Sequence, residues 1–272
     1  MLCHIPVKNR YLIELATGAE EIFDIAFLPV GDLLLFWCWN MRFRFLFIQM
    51  LFALGVAGRL LGAALTDELS PEQLSAVDAG SQVVIREDLP DQPWPRVRVY
   101  QRVHASPEEV AAVFFDYEKA KSYIPDVLDS QISKRHSPRV FEVDYKVEVP
   151  ILPDEMYTAR NEIEMLQPDS YRISWRVLKA LQTKAAVGNL CIERYGDGES
   201  LICYTNLVTP GSSVVVLLKN LAMERMEKIV ASIALESEKQ KTQAPLDLTR
   251  QIEILRAALS AGTPFNPSAD YP

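Results

Sequence analysis

Residues that carry chemistry are scarce in this chain. Its 272 residues include three histidines and four cysteines, and none sits at a spacing that builds a metal site or a nucleophile. There is no His-Glu-x-x-His, no Gly-x-Ser-x-Gly, no phosphate loop and no Gly-x-Gly-x-x-Gly. His4 lies with Cys3 and Cys38 in the N-terminal segment. His104 stands beside an expected helix cap and His136 in an expected hairpin turn with Lys134 and Arg135, where a capping or solvated role accounts for each. Asp126 and Asp129, three apart and next to Pro125, read as turn and surface carboxylates rather than an acid–base pair. Basic residues are also in deficit: 28 Lys and Arg face 36 Asp and Glu, a net charge of −8. That balance argues against nucleic acid as a partner, because phosphate binding needs clustered Lys and Arg. No repeat, low-complexity tract, metal site or cofactor motif is evident.

What is present begins with an apolar run near the N-terminus. Met41-Arg42-Phe43-Arg44 is a basic region followed by the apolar stretch Phe45–Ala57, and Gly62-Ala63-Ala64 supplies small residues for cleavage. This is the layout of a secretory signal starting at Met41. It predicts a mature protein beginning between Gly58 and Leu65, located in the periplasm or secreted. The alternative is a retained membrane anchor; the second apolar stretch, Ile25–Trp39, is broken by Pro29 and Asp32 and is short for a span. The chain therefore divides into a leader of unclear status (1–40), a signal peptide or anchor (41–64), a small helix and linker (65–95), one main domain (96–241), and a C-terminal helix with a loose tail (242–272). In the linker, Ser70-Pro71-Glu72-Gln73 is a capping box with proline at the first helical position, so a helix should run to about Ala79 and stop at Gly80. Ser81–Arg86 is a candidate extra strand, and Leu89–Pro95 a proline-rich bend. Pro245 precedes a candidate helix, Leu246–Ala261.

Between Arg96 and about Lys241 the order of elements is a strand, a capped helix, six more strands and one long helix. The strands declare themselves by a side-chain period of two. From Phe141 to Val149 every odd position is apolar and every even one charged. Tyr157, Ala159, Ile163 and Met165 face Thr158, Arg160, Glu162 and Glu164 in the next run, with Asn161 the polar exception on the apolar face. Tyr171, Ile173, Trp175 and Val177 face Arg172, Ser174 and Arg176 in the third. Gln-Pro-Asp-Ser at 167–170 and Tyr-Gly-Asp-Gly-Glu-Ser at 195–200 mark hairpin turns. Ser106-Pro107-Glu108-Glu109 opens the first helix with another capping box, and Pro125 bounds that helical region. Leu218, Ala222, Met226, Ile229 and Ile233 recur at spacings of four, four, three and four, an amphipathic helix of about six or seven turns.

On these residues the stretch Val103–Glu238 resembles the START-related superfamily, which includes lipid-transfer domains, plant pollen-allergen proteins, polyketide cyclases and coenzyme-Q-binding proteins. The matching segments are 106–117, Tyr123-Ile-Pro-Asp-Val127, Trp175 on its strand, and Leu201–Gly211 leading into the last helix. The resemblance implies an α+β helix-grip fold, a seven-stranded antiparallel sheet curved around a long C-terminal helix. It also implies a cavity between sheet and helix for a hydrophobic small molecule such as a lipid, quinone or polyketide-like compound, with transient membrane contact as a route for loading it.

The expected cavity walls are Phe141, Val143, Tyr145, Tyr157, Ile163, Tyr171, Ile173 and Trp175 from the sheet, and Leu218, Ala222, Met226 and Ile229 from the helix. Asn161, and Gln101 between Val99 and Val103, are polar groups on apolar faces, so each needs a protein group, a water or a ligand as partner. Lys134, Arg135 and Arg139 could attract an anionic headgroup or simply decorate a hairpin tip. The alternation points nearly all titratable groups outward, which favours a binding protein; a cyclase or aromatase on the same fold, or an interaction module with a filled core, are the alternatives. Cys191 and Cys203 flank the 195–200 hairpin. A three-residue loop would set them opposite each other, whereas an Asp197-Gly198 two-residue turn would put them on opposite faces, leaving a disulfide and two free thiols both open.

Overall fold

The computed structural model describes residues 64–261. The leader, the Met41 signal and the tail beyond Gly262 lie outside the described residues. Eight strands form one antiparallel sheet: β1 (Val83–Glu87), β2 (Arg96–Val103), β3 (Val127–Ser137), β4 (Val140–Val147), β5 (Glu155–Gln167), β6 (Ser170–Ala180), β7 (Thr183–Gly196) and β8 (Glu199–Pro210), in the order β1-β2-β8-β7-β6-β5-β4-β3. The sheet has one strand more than the expected seven. The addition is β1, which pairs with β2 from Val83↔Tyr100 to Glu87↔Arg96; without it β2 would be the edge and its ladder groups unpaired.

The helices are α1 (Pro71–Asp78), α2 (Pro107–Phe115), α3 (Ala120–Tyr123), α4 (Ser213–Val216), α5 (Lys219–Gln243) and α6 (Pro245–Ser260). Both capping boxes form, Ser70 with Gln73 and Ser106 with Glu109, and Gly80 leaves α1 at φ 82°, a conformation that costs glycine nothing. The helical region that Pro125 bounds consists of α2, a 3-10 turn over Tyr117–Lys119, and α3. Ser130 holds this broken segment to β3: its hydroxyl donates to the Glu118 carbonyl and accepts the Lys121 N–H.

Helices α2, α5 and α6 cover the concave face of the sheet and share one apolar core with it, centred on Val110, Phe115, Ile163, Ile173, Leu190, Ile202, Ile233 and Leu255. On the opposite face α1 and the 3-10 turn Leu65–Glu68 build a second, smaller core from Leu65, Leu69, Val77, Val83, Tyr100, Leu201 and Cys203. The Tyr100 hydroxyl donates to the Glu68 carboxylate at 2.5 Å, Arg98 pairs with the same carboxylate at 2.9 Å, and the Leu65 N–H donates to Glu193 at 2.9 Å. The face of β2, β7 and β8 turned away from the first core is thus covered where these strands pass beneath this segment.

Two further expectations are corrected. His136 lies within β3, not in a turn; its imidazole meets the Glu142 carboxylate at 2.6 Å. Its neighbours do not reach the cavity described below: Arg135 stacks over the Phe141 ring at 5.1 Å, and Arg139 donates to the Ala258 and Leu259 carbonyls at the end of α6. The 195–200 hairpin combines both alternatives for its register. Gly196 pairs with Glu199 around a two-residue Asp197-Gly198 turn, but Arg194 pairs with Ser200, so Tyr195 is an extra residue that resets the ladder. Cys191 therefore stands directly opposite Cys203, and both are free thiols.

Candidate ligand-binding site

Sheet and helix meet tightly at one end of the grip and part at the other. Under α2 and the C-terminal half of α5 the concave face is filled; Val143, Ile163 and Ile173 have no solvent exposure there. Toward the N-terminal half of α5 a cavity of about 290 Å³ opens, walled by the sheet, by the irregular 117–127 segment, by Trp94 and Phe114, and by α5.

Of the sequence-derived wall residues, Tyr145, Tyr157, Asn161, Trp175, Leu218, Ala222 and Ile229 line the cavity. Phe141, Val143, Ile163, Tyr171, Ile173 and Met226 are packed in the core instead. The reason is positional: a period of two says which face a side chain takes, but not whether the space above it is occupied. On α5 the single predicted stripe splits in two. Leu218 at its N-cap, Leu221, Ala222, Arg225 and Ile229 face the cavity, while Met223, Met226, Val230, Ile233 and Ala234 face the core.

Aromatic rings dominate the walls. Tyr145 and Tyr157, paired across β4 and β5, stack with centroids 5.0 Å apart. Trp175 lies 4.9 Å from Tyr204 and 6.2 Å from Phe114. The indole can occupy this place because its cross-strand partner is Gly188; a Cβ there would come within 2.5 Å of the indole and 2.4 Å of the Thr205 carbonyl oxygen. Trp94 is fixed by its indole N–H, which donates to the Val216 carbonyl at 3.2 Å.

The charged groups of the wall are engaged. Arg225 donates to Asp126 at 3.0 Å, tying α5 to the residue just before β3, where Asp126 sits at φ 65°. Asp126 is thus a wall residue rather than the surface carboxylate expected, while Asp129 pairs with Lys121 outside. The Glu155 carboxylate accepts the N–H groups of Leu181 and Gln182, at 2.8 and 3.0 Å, and pins the β6–β7 turn. Five phenols line the space, Tyr117, Tyr123, Tyr145, Tyr157 and Tyr204; burial raises each above its ordinary range, so all remain neutral donors.

Three buried polar atoms of this wall have no hydrogen-bond partner: the hydroxyls of Tyr117 and Tyr123 and the side-chain oxygen of Asn206. Leaving such a group unpaired costs about 1–3 kcal/mol. Asn161, by contrast, donates to the Ala159 carbonyl at 3.1 Å. Gln101 lies off the cavity, bonded to Gln82 at 2.6 Å. Tyr204 and Asn206 alternate along the 201–211 run and could have been found by period; Tyr117 and Tyr123 fall in irregular backbone, where no period exists. Among the described residues no group of three His, Cys, Asp or Glu is placed to hold a metal ion, and no helix is long and apolar enough to cross a membrane.

No protein-family model and no curated protein matches the sequence. Solved structures do match by shape. A STAR-related lipid transfer protein from Xanthomonas axonopodis is 14% identical with a TM-score of 0.52, and the match covers 58% of this chain and 93% of that one. The chain has the START-type helix-grip fold. The Zhui aromatase/cyclase from Streptomyces sp. R1128 (14% identity, TM-score 0.49, 55% and 96% coverage) and a START superfamily protein from Mycobacterium smegmatis (16%, 0.46, 53% and 97%) are also similar. At these identities the likeness concerns the fold alone and leaves enzymatic activity open.

Proposed function

We propose that this protein binds one hydrophobic small molecule in the cavity between the sheet and α5, and that it carries its ligand rather than transforming it. The observation that carries this reading is the cavity itself, an aromatic-walled space that persists where the rest of the concave face is close-packed. Apolar walls supply most of the binding free energy in such sites and a few polar groups set orientation. The lipid-transfer protein that shares the fold supports the same class of ligand. Binding is favoured over cyclase chemistry because the wall's carboxylates are tied to Arg225 or to backbone amides and its phenols stay protonated. A general base would need a group poised to take a proton near neutral pH. The volume lies at the lower end of the roughly 300–1,000 Å³ of small-molecule pockets, too small to enclose a two-chain phospholipid whole.

The rim of the cavity suggests how the ligand arrives. The β4–β5 loop, the β6–β7 turn and the start of α4 lie side by side, joined by Gln182 donating to the Pro153 carbonyl and by the Gly211 N–H donating to the Gln182 carbonyl. They display Ile151, Leu181, Val214 and Leu217, each more than half exposed. This apolar rim fits brief contact with a membrane, and the Met41 signal fits a periplasmic or secreted protein; N-terminal sequencing of exported protein tests the latter, and a cytoplasmic product retaining Met41 would refute it.

Mass spectrometry of an organic extract from protein purified out of its native compartment tests the function. A co-purifying apolar molecule at a defined ratio to protein is expected. An empty extract, together with no uptake of any apolar fluorescent probe, would overturn the proposal in favour of a module with an unused cavity.

A further inference from the structure

We infer that the chain is cut between Ala64 and Leu65, and that the ammonium group this creates on Leu65 pairs with the Glu193 carboxylate and fastens the 65–78 segment over the second core; this rests on the export proposed above. The step is a hydrolysis by an export peptidase. Water breaks the Ala64–Leu65 amide, Ala64 departs with the new carboxylate, and the Leu65 nitrogen becomes an α-amine, which is protonated at neutral pH.

Sequence and structure single out the same bond. Gly62 and Ala64 are small residues at the two positions that a cleavage site of the A-x-A type fills before the cut. In the folded chain the Leu65 nitrogen lies 2.9 Å from a Glu193 carboxylate oxygen, the distance of a charge-assisted hydrogen bond. Glu193 is half-buried on the face of β7 that the segment covers, two residues along from Cys191. The carboxylates around it are engaged: Glu68 with Arg98 and Tyr100, Glu199 with Arg102, and Asp78 with Tyr195. Among the described residues Glu193 has only the Leu65 N–H and no Lys, Arg or His. A neutral amide therefore stands where a cation would complete the pair. The cut gives up two bonds of Ala64, its N–H to Asp67 at 3.2 Å and its carbonyl from the Asp67 N–H at 2.9 Å. Ala64 is exposed, so water replaces both. The Leu65 side chain, which packs in the second core, stays. Because Leu65 is buried in the folded protein, the bond is reached while the chain is still unfolded, as it is during export, and folding then captures the new terminus.

The test starts from the full-length chain, expressed with its signal in an exporting bacterial host. N-terminal sequencing of the exported protein should read Leu-Thr-Asp-Glu-Leu. A start at Gly58 or Ala64 would overturn the inference and leave export intact, whereas a product retaining Met1 or Met41 would overturn both; ligand binding in the cavity stands or falls separately. Thermal melts then compare the exported protein with its Glu193→Gln variant, each with the terminus free and after acetylation selective for the α-amine. With the terminus free, Glu193→Gln should lower Tm by about 2–4 °C, the loss of one charge-assisted pair in a domain of this size. Acetylating the wild type should cost about the same, and acetylating Glu193→Gln should cost nothing further. A loss from Glu193→Gln that is equal with the terminus free or blocked would show that Glu193 serves a backbone N–H alone, and would overturn the inference, as would no loss at all.

Discussion

Replacing Gly188 by alanine tests how the cavity keeps its shape. The new methyl would lie 2.5 Å from the Trp175 indole and 2.4 Å from the Thr205 carbonyl oxygen, both well inside van der Waals contact. The carbonyl belongs to β8, whose Thr205 is paired with Asn189 of β7, and it yields little without breaking the ladder. The indole can move only toward Tyr204, Phe114 or the open cavity. Overpacking of this kind costs about 1–3 kcal/mol, which for a domain of this size corresponds to a fall in Tm of about 2–12 °C. Differential scanning calorimetry and probe binding are measured on Gly188→Ala, Trp175→Leu and the double variant. If the indole is the group displaced, Gly188→Ala should cost at least about 1 kcal/mol less when Trp175 is already leucine, a coupling typical of touching residues. The Thr205 clash sets the cost that remains. A Tm and probe affinity unchanged by Gly188→Ala, or an equal cost in both backgrounds, would refute the claim that this glycine seats the tryptophan.

Other outcomes follow from the same geometry. Ala222→Phe projects a ring from α5 into the cavity and should abolish probe uptake while the circular dichroism spectrum stays near wild type; retained uptake would place the binding site elsewhere. The buried tyrosines hold protons that the unfolded chain releases above its phenol range of about 10, so stability is complete below that pH and falls as pH rises through it, by up to about 1.4 kcal/mol per pH unit for each phenol. Urea midpoints between pH 8 and 11, with tyrosinate absorbance, check this; a flat profile to pH 11 would contradict the burial. Burial also pushes the Cys203 thiol up to about 12 and raises that of Cys191. Pulse alkylation with peptide mapping should therefore label neither in the native protein at pH 8 within minutes and both after unfolding; absence of label on both after unfolding would mean a bridge.

Much of the fold could be read from the sequence because its signals are local. The alternation in 141–149 and 171–177, the two capping boxes and the apolar spacing of α5 each follow from a few neighbouring residues. What escaped depends on distant packing. β1 was legible as an isolated apolar run, but its place at the sheet edge is set by β2. The second core was hidden because Tyr100, Leu201 and Cys203 occupy face positions that elsewhere in the sheet are wet. The split of α5 into a cavity line and a core line depends on what stands opposite each side of the helix, and Phe141, Val143, Ile163, Tyr171, Ile173 and Met226 fell where neighbouring elements fill the space. Tyr117, Tyr123 and the Asp126–Arg225 pair lie in or against irregular backbone, which leaves no periodic trace.

The two cores divide the sheet unequally. Strands β2 and β8, with part of β7, are loaded on both faces, by the helices on one and by α1 with the Leu65–Glu68 turn on the other. Strands β3 to β5 have that backing on one face only, and β3 is an edge with three breaks in its register against β4. One wing of the grip is therefore a stiff spine and the other a compliant flap, with the cavity at their junction. Local opening follows the less protected elements, so amide exchange should be slowest in β2 and β8 and faster in β3.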